Sequence, residues 1–156
     1  MLNTRQHLVV RSTGLTKQYG NAEVVSGVGL EVPARQVYGF LGPNGAGKST
    51  SLEMTVGLRT PDSGTVLTLG LDPRTAGDEL SHRVAIQPQE AKVFEYLYVG
   101  ELLDLWSSFY DHPRPSGEIL ESLELTKFIK RQVTKLSGGT LQRLNVALAM
   151  VSDPEL

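Results

Sequence analysis

No cysteine occurs in this chain of 156 residues, which excludes disulfides and thiolate metal sites and suits a reducing compartment. The three histidines, His7, His82 and His112, are scattered without ligand spacing and read as surface or internally satisfied side chains. Neither sign of charge is in excess. Lys and Arg number 15 and Asp and Glu 17, a formal charge of -2, so nothing in the balance marks a nucleic-acid binder and no nucleic acid is expected as a partner. Long apolar runs are missing too. The start, Met1 to Val10, holds only the short piece Leu8-Val9-Val10, far from a signal-peptide core or the ~20 apolar residues of a membrane span. Any membrane role is therefore expected to come through a partner. There is no internal repeat, low-complexity tract or long charged run. With 40% hydrophobic and 21% charged residues, the expectation is one soluble globular domain with a real core.

The most informative stretch is Gly42-Pro43-Asn44-Gly45-Ala46-Gly47-Lys48-Ser49-Thr50, directly after the apolar run Val37-Tyr38-Gly39-Phe40-Leu41. It reads as a buried strand, a phosphate loop and a helix start. Glycines let the backbone turn with positive φ, so that successive N–H groups point inward and form a concave anion site. The helix beginning near Lys48 adds its positive dipole end. Lys48 can reach β- and γ-phosphates as a point charge, and the Ser49 hydroxyl can ligate Mg²⁺. A glycine-rich turn with no ligand would need neither Lys48 nor Ser49, nor the apolar strand before them. The loop predicts MgATP or MgGTP.

The rest of the chain supplies a frame. His7–Tyr19 and Val24–Val32 contain β-branched and apolar positions broken by Gly14, Gly20, Gly27 and Gly29, the look of two antiparallel edge strands with turns. Ser49–Gly57 is expected as the helix after the loop, closed by Gly57. Pro61–Gly64 reads as a turn, Thr65–Gly70 as a half-buried strand, Asp72–His82 as a short helix and Arg83–Ile86 as a further strand. From Val99 the period becomes helical, with Val99, Leu102, Leu103, Trp106 and Phe109 on one apolar face, read as core. His112-Pro113-Arg114-Pro115 ends that helix, and Ser116 is placed to cap the next, Gly117–Leu123. Leu141, Leu144, Leu148 and Val151 mark one face of a final helix starting just after Ser137-Gly138-Gly139.

At that start a hydroxyl and two unobstructed glycine N–H groups make a second candidate anion site. Leu136-Ser137-Gly138-Gly139-Thr140, on one chain with the P-loop, resembles the signature motif of the ABC (ATP-binding cassette) family, usually LSGGQ, with Thr140 in place of the glutamine. Tyr19, in Leu15-Thr16-Lys17-Gln18-Tyr19-Gly20, resembles the family's A-loop aromatic, whose ring stacks on adenine. Gln89, in Gln87-Pro88-Gln89, resembles the Q-loop glutamine that reaches the Mg²⁺ and water region. Arg35-Gln36 stands where the family commonly has Gly-Glu.

The resemblance implies an α/β fold: a P-loop core of mostly parallel strands flanked by helices, an N-terminal antiparallel part and a helical subdomain. The expected division is 1–36 antiparallel, 37–90 core to the Q-loop, 91–136 helical, and 137–156 signature and following helix. It further implies ATP and Mg²⁺ as ligands, with the nucleotide on Tyr19 and Gly42–Thr50 and the metal on Ser49 and Gln89. Ser137, Gly138 and Gly139 would face the ATP of an opposing cassette in a homo- or heterodimer. The family's Walker B aspartate, catalytic glutamate, D-loop and switch histidine have no counterparts among the 156 residues, so no general base is nominated. This chain alone is expected to turn ATP over slowly or not at all, and its parallel strands to be exposed to aggregation. The wording around Glu101–Tyr110 and after Leu136 looks most like ATPase subunits of exporters, held through a transmembrane permease subunit at the cytoplasmic face. A non-catalytic nucleotide- or partner-binding fragment, and a soluble ABC-type ATPase outside transport, are the alternatives.

Overall fold

The computed structural model describes residues 7–87, 94 and 96–156, so Gln89 lies outside the described residues. They fall into two units that meet in sequence at Ser81 and His82.

In the first unit, β1 (Leu8–Tyr19) and β2 (Ala22–Pro33) pair antiparallel, and β3 (Ser63–Thr68) pairs antiparallel with the other edge of β1, giving the order β2-β1-β3. The pairing of these first two strands is interrupted by bulges, where the register shifts on both sides of Leu15. Ser12 is buried at such an irregularity, and its hydroxyl accepts the Leu30 N–H at 3.0 Å, so the buried backbone group keeps a partner. Helix α1 (Lys48–Thr55) packs Met54 against Leu15, Val25 and Val66, all nearly inaccessible to solvent. Gly57 follows its C-cap with φ 82, the left-handed C′ glycine expected there. The Thr68 hydroxyl donates to the Thr55 carbonyl, fastening β3 to the end of α1. A short helix, α2 (Gly77–Ser81), completes the unit.

The segment before β3 is hooked onto the end of β1 by one carboxylate. Asp62 accepts from the Lys17 ammonium and from the Gln18 N–H, each at 2.7 Å, and Lys17 also donates to the Thr60 carbonyl at 2.8 Å. The Lys17 bond and the Gln18 N–H hold the Asp62 carboxyl below its usual range. A depressed carboxylate stabilises the fold above its unfolded pKa, about 3.9, and that contribution drains as pH falls through the lower folded value. Acid unfolding followed by circular dichroism should therefore begin at higher pH in Asp62→Asn than in the parent, with the curves displaced at neutral pH as well. Superimposable curves would refute this role.

The second unit is helical, with α3 (Val99–Ser107), α4 (Ser116–Ser122), two single 3₁₀ turns and α5 (Gly138–Met150). Val99, Leu102 and Leu103 from α3, Ile119 and Leu120 from α4, and Leu144, Ala147 and Leu148 from α5 form one core, joined by Leu125, Val133 and Val151. Each fully buried leucine there contributes about 2 kcal/mol by removal of its surface from water. The first N–H groups of α3 are satisfied within the protein: Val99 donates to the Arg131 carbonyl and Gly100 to that of Ile129, both at 3.0 Å.

Five expectations are corrected. Only β2 of the first two strands is at an edge, because β1 pairs on its other side with β3. Val37–Leu41 is not a strand: it runs irregularly, with Val37 and Leu41 almost fully exposed. A parallel strand exists only through the ladders on its two sides, and among the described residues no backbone group pairs with this stretch. Arg83–Ile86 likewise forms no strand. Its start is met by residues 155 and 156: Arg83 accepts from the Glu155 N–H at 2.8 Å, and Ala85 donates to the Leu156 carbonyl at 2.9 Å. Phe109 falls beyond α3 and is 61% exposed, packing edge-on to Trp106 instead of joining the core. Ser116 is the first residue of α4 rather than its cap, because Pro115 holds the N-cap position. The left-handed φ of 58 at Arg35 gives a conformational reason for the glycine common at that place in the family.

Candidate functional site

Residues 42–46 are exposed, while Gly47 is buried beneath them against β2. Gly45 and Gly47 have φ of 82 and 76, and the Ala46 N–H closes the loop onto the Pro43 carbonyl at 3.3 Å. Lys48 bends back over the loop, its ammonium donating to the Gly42 and Pro43 carbonyls at 2.9 and 2.7 Å. Gly47 is the N-cap of α1 and carries no side chain to cap it. The first helical backbone bond runs from the Ser51 N–H to the Gly47 carbonyl at 2.8 Å. Among the described residues, the N–H groups of Lys48, Ser49 and Thr50 therefore have no acceptor, in contrast to the satisfied start of α3. Three aligned donors, a positive helix end and an ammonium make a cradle complementary to a polyphosphate. The Ser49 side chain is exposed beside it.

Tyr19, at the end of β1, is 42% exposed. The Arg59 guanidinium lies 5.6 Å from its ring centroid and the Lys17 ammonium 5.9 Å. Arg59 is tied in turn to Glu53 of α1 by an ion pair and by its own N–H, which donates to the Glu53 carbonyl at 3.2 Å. Sequence reasoning missed Arg59 and Glu53. They stand six apart across the end of a helix, and no motif or period links them.

In the second unit Ser137 caps α5, its hydroxyl accepting from the Thr140 N–H at 3.4 Å and lying 2.9 Å from the Thr140 hydroxyl. Thr140 is buried, so the departure from glutamine is used internally as part of the cap. Gly138 and Gly139 are exposed, and a Cβ built on either would meet no atom within 4 Å. His82 and His112 line a cavity of about 240 Å³ with Tyr110, Asp111 and Ser152, the His82 ring edge-on to Tyr110. Among the described residues no group of three His, Asp or Glu side chains could hold a metal ion.

The family profile described as "ABC transporter" matches residues 25–156. The chain belongs to the ABC transporter family. Its relatives include the ABC transporter ATP-binding protein YcbN of Bacillus subtilis, 35% identical over 95% of this chain and 49% of the relative. The daunorubicin/doxorubicin resistance ATP-binding protein DrrA of Streptomyces peucetius is 35% identical over 99% of the chain and 48% of the relative. The Nod factor export ATP-binding protein I of Cupriavidus metallidurans is 37% identical over 95% and 50%. This ABC chain thus spans about half the length of the curated relatives it matches. Among solved structures, an ATP-binding subunit of an ABC transporter superposes with a TM-score of 0.81 at 22% identity, over 94% of this chain and 63% of that one. A nucleotide-free cassette gives 0.78 at the same identity, over 95% and 66%. At that identity these likenesses speak for the ABC cassette fold. No helix among the described residues is long and apolar enough to cross a membrane.

Proposed function

We propose that this chain is the P-loop-bearing part of an ATP-binding subunit that powers export through a separate transmembrane permease, and that residues 91–136 serve as its helical subdomain. The observation that carries the reading is the start of α1, where the N–H groups of residues 48–50 lack acceptors among the described residues, beneath an exposed glycine loop and the Lys48 ammonium. Those donors and Lys48 would hold the phosphates. Lys48 would give up the Gly42 and Pro43 carbonyls, two neutral acceptors, for a charged one. The Ser49 hydroxyl and Gln89 would hold Mg²⁺, which would supply neutralisation of phosphate charge. Tyr19 would offer its ring to the adenine as a stacking platform.

The signature glycines support the pairing of two cassettes. Among the described residues nothing crowds Gly138 or Gly139, so their lack of a side chain serves no packing there. In a helix a glycine is less favourable than alanine by up to about 1 kcal/mol. The arrangement makes sense when a phosphate of an opposing cassette approaches Ser137, Gly138 and Gly139 closely. Gly138→Ala should accordingly raise the melting temperature while weakening ATP-driven dimerisation, read by sedimentation. Unchanged dimerisation in a stabilised variant would remove this support. The exporter assignment draws on relatives named for drug resistance and Nod factor export. On this reading the chain would work at the cytoplasmic face, held there by its permease.

The test is calorimetric titration with MgATP, joined to affinity purification from the native membrane. Saturable binding together with recovery of a polytopic membrane protein supports the proposal. Binding without such a partner favours the non-transport alternatives, and absence of binding refutes the nucleotide site.

A further inference from the structure

Two parts of the proposed nucleotide site are joined by a side chain that neither motif contains. Glu53 lies in the last turn of α1, the helix whose first turn carries Lys48 and Ser49. Arg59 is doubly anchored to Glu53, by its backbone N–H and by an ion pair from its Nε. From that anchor its guanidinium reaches the Tyr19 ring, 5.6 Å from the centroid, within the range of a cation–π contact. Glu53 favours the charged form of Arg59 most, and Tyr19 adds to the effect. Tyr19 as a whole is 42% exposed, so the residue is open to a ligand from solvent.

We propose that Arg59 is a positioning residue for the base: anchored on Glu53, it fixes the Tyr19 ring relative to α1, so that base and phosphates are held at one spacing. The inference rests on the reading of Tyr19 as the adenine platform. A free tyrosine at a strand end samples several rotamers, and a ligand that needs one of them must meet that ordering cost on binding. Arg59 meets part of it in advance. Lys17 stands near the same ring but is engaged by Asp62 and Thr60, so it is tied to the segment before β3 and not to α1. Arg59 alone of the two cations transmits the position of the phosphate helix.

The inference separates base affinity from phosphate affinity, and so does its test. MgATP and magnesium tripolyphosphate are titrated calorimetrically into the parent protein and into Arg59→Ala, Arg59→Lys, Glu53→Gln, Tyr19→Ala and the Tyr19→Ala/Arg59→Ala pair. The expected result is a loss of MgATP affinity of roughly five- to tenfold in Arg59→Ala, with tripolyphosphate binding unchanged. Arg59→Lys should recover part of the loss, and Glu53→Gln, which removes the anchor charge and keeps the shape, should reproduce part of it. On a Tyr19→Ala background, Arg59→Ala should have no further effect. Equal losses for both ligands, or losses that add in the double variant, would assign Arg59 a merely structural role and overturn the proposal. If Tyr19→Ala weakens MgATP and Arg59→Ala does not, the positioning role alone is wrong. If Tyr19→Ala is itself silent, the platform reading falls and this proposal with it.

Discussion

Replacing Gly47 with alanine should destabilise the first unit by several kcal/mol and abolish nucleotide binding with it. The residue sits at φ 76, in the left-handed region, where a side chain is disfavoured by about 1–2 kcal/mol. A second penalty comes from space. A Cβ at Gly47 would lie 2.3 Å from the Val24 carbonyl oxygen and 3.0 Å from Cγ2 of Val25. Both belong to β2, and the Val25 side chain is part of the core with Leu15, Met54 and Val66. The oxygen is backbone and cannot swing away. Relief requires α1 to lift from the sheet, and overpacking of that kind adds about 1–3 kcal/mol. Against a total stability of ~5–15 kcal/mol, the sum is a large share. The control is Gly45→Ala: its φ of 82 carries the same conformational penalty, but a Cβ there meets nothing within 4 Å. Thermal melts should show Gly47→Ala lower than Gly45→Ala by on the order of 10 °C. Equal melting temperatures would mean that the loop does not press on β2 as described.

The difference between those glycines marks what the sequence could and could not convey. The motif spacing fixes Gly42 and Gly47, with Gly45 at a free position between them, and gives no ground for ranking the three. Only the structure separates them: a Cβ at Gly42 would make ordinary contacts, at Gly45 none, and at Gly47 a clash. Local chemistry was legible where the signal lies within a few residues. The cap at Ser137, the C′ glycine at Gly57, the hairpin and the face of Leu102, Leu144 and Leu148 all followed from spacing and residue type. Expectations failed where the outcome depends on a partner elsewhere. Val37–Leu41 has the composition of a buried parallel strand, yet a strand of that kind draws its hydrogen bonds from neighbours on either side and cannot be judged from its own residues. Phe109 kept the helical period but lies beyond Ser107, where α3 has already stopped. The Glu53–Arg59–Tyr19 chain was invisible for a related reason, since its three members come from a helix, a loop and a strand end.

Lys48→Ala should leave the fold nearly intact and reduce MgATP affinity by about two orders of magnitude or more. The ammonium now holds the Gly42 and Pro43 carbonyls at 2.9 and 2.7 Å, but both acceptors lie on an exposed loop where water can replace it. The loss to stability is then no more than about 1 kcal/mol. Toward a polyphosphate the balance reverses. The same ammonium would meet charged oxygens, and hydrogen bonds to charged groups contribute about 1.5–3 kcal/mol each, or roughly 10- to 100-fold in affinity per bond. The uncapped N–H groups of residues 48–50 would remain, so weak anion binding should persist at the helix start. Tripolyphosphate should lose affinity in parallel with MgATP, because on this reading Lys48 would act on the phosphates and not on the base. That parallel loss is the opposite of the pattern expected from Arg59→Ala, and the two variants together resolve the phosphate end of the site from the base end. A Lys48→Ala protein that melts normally and binds MgATP like the parent would show that the cradle at the start of α1 is not where nucleotide is held.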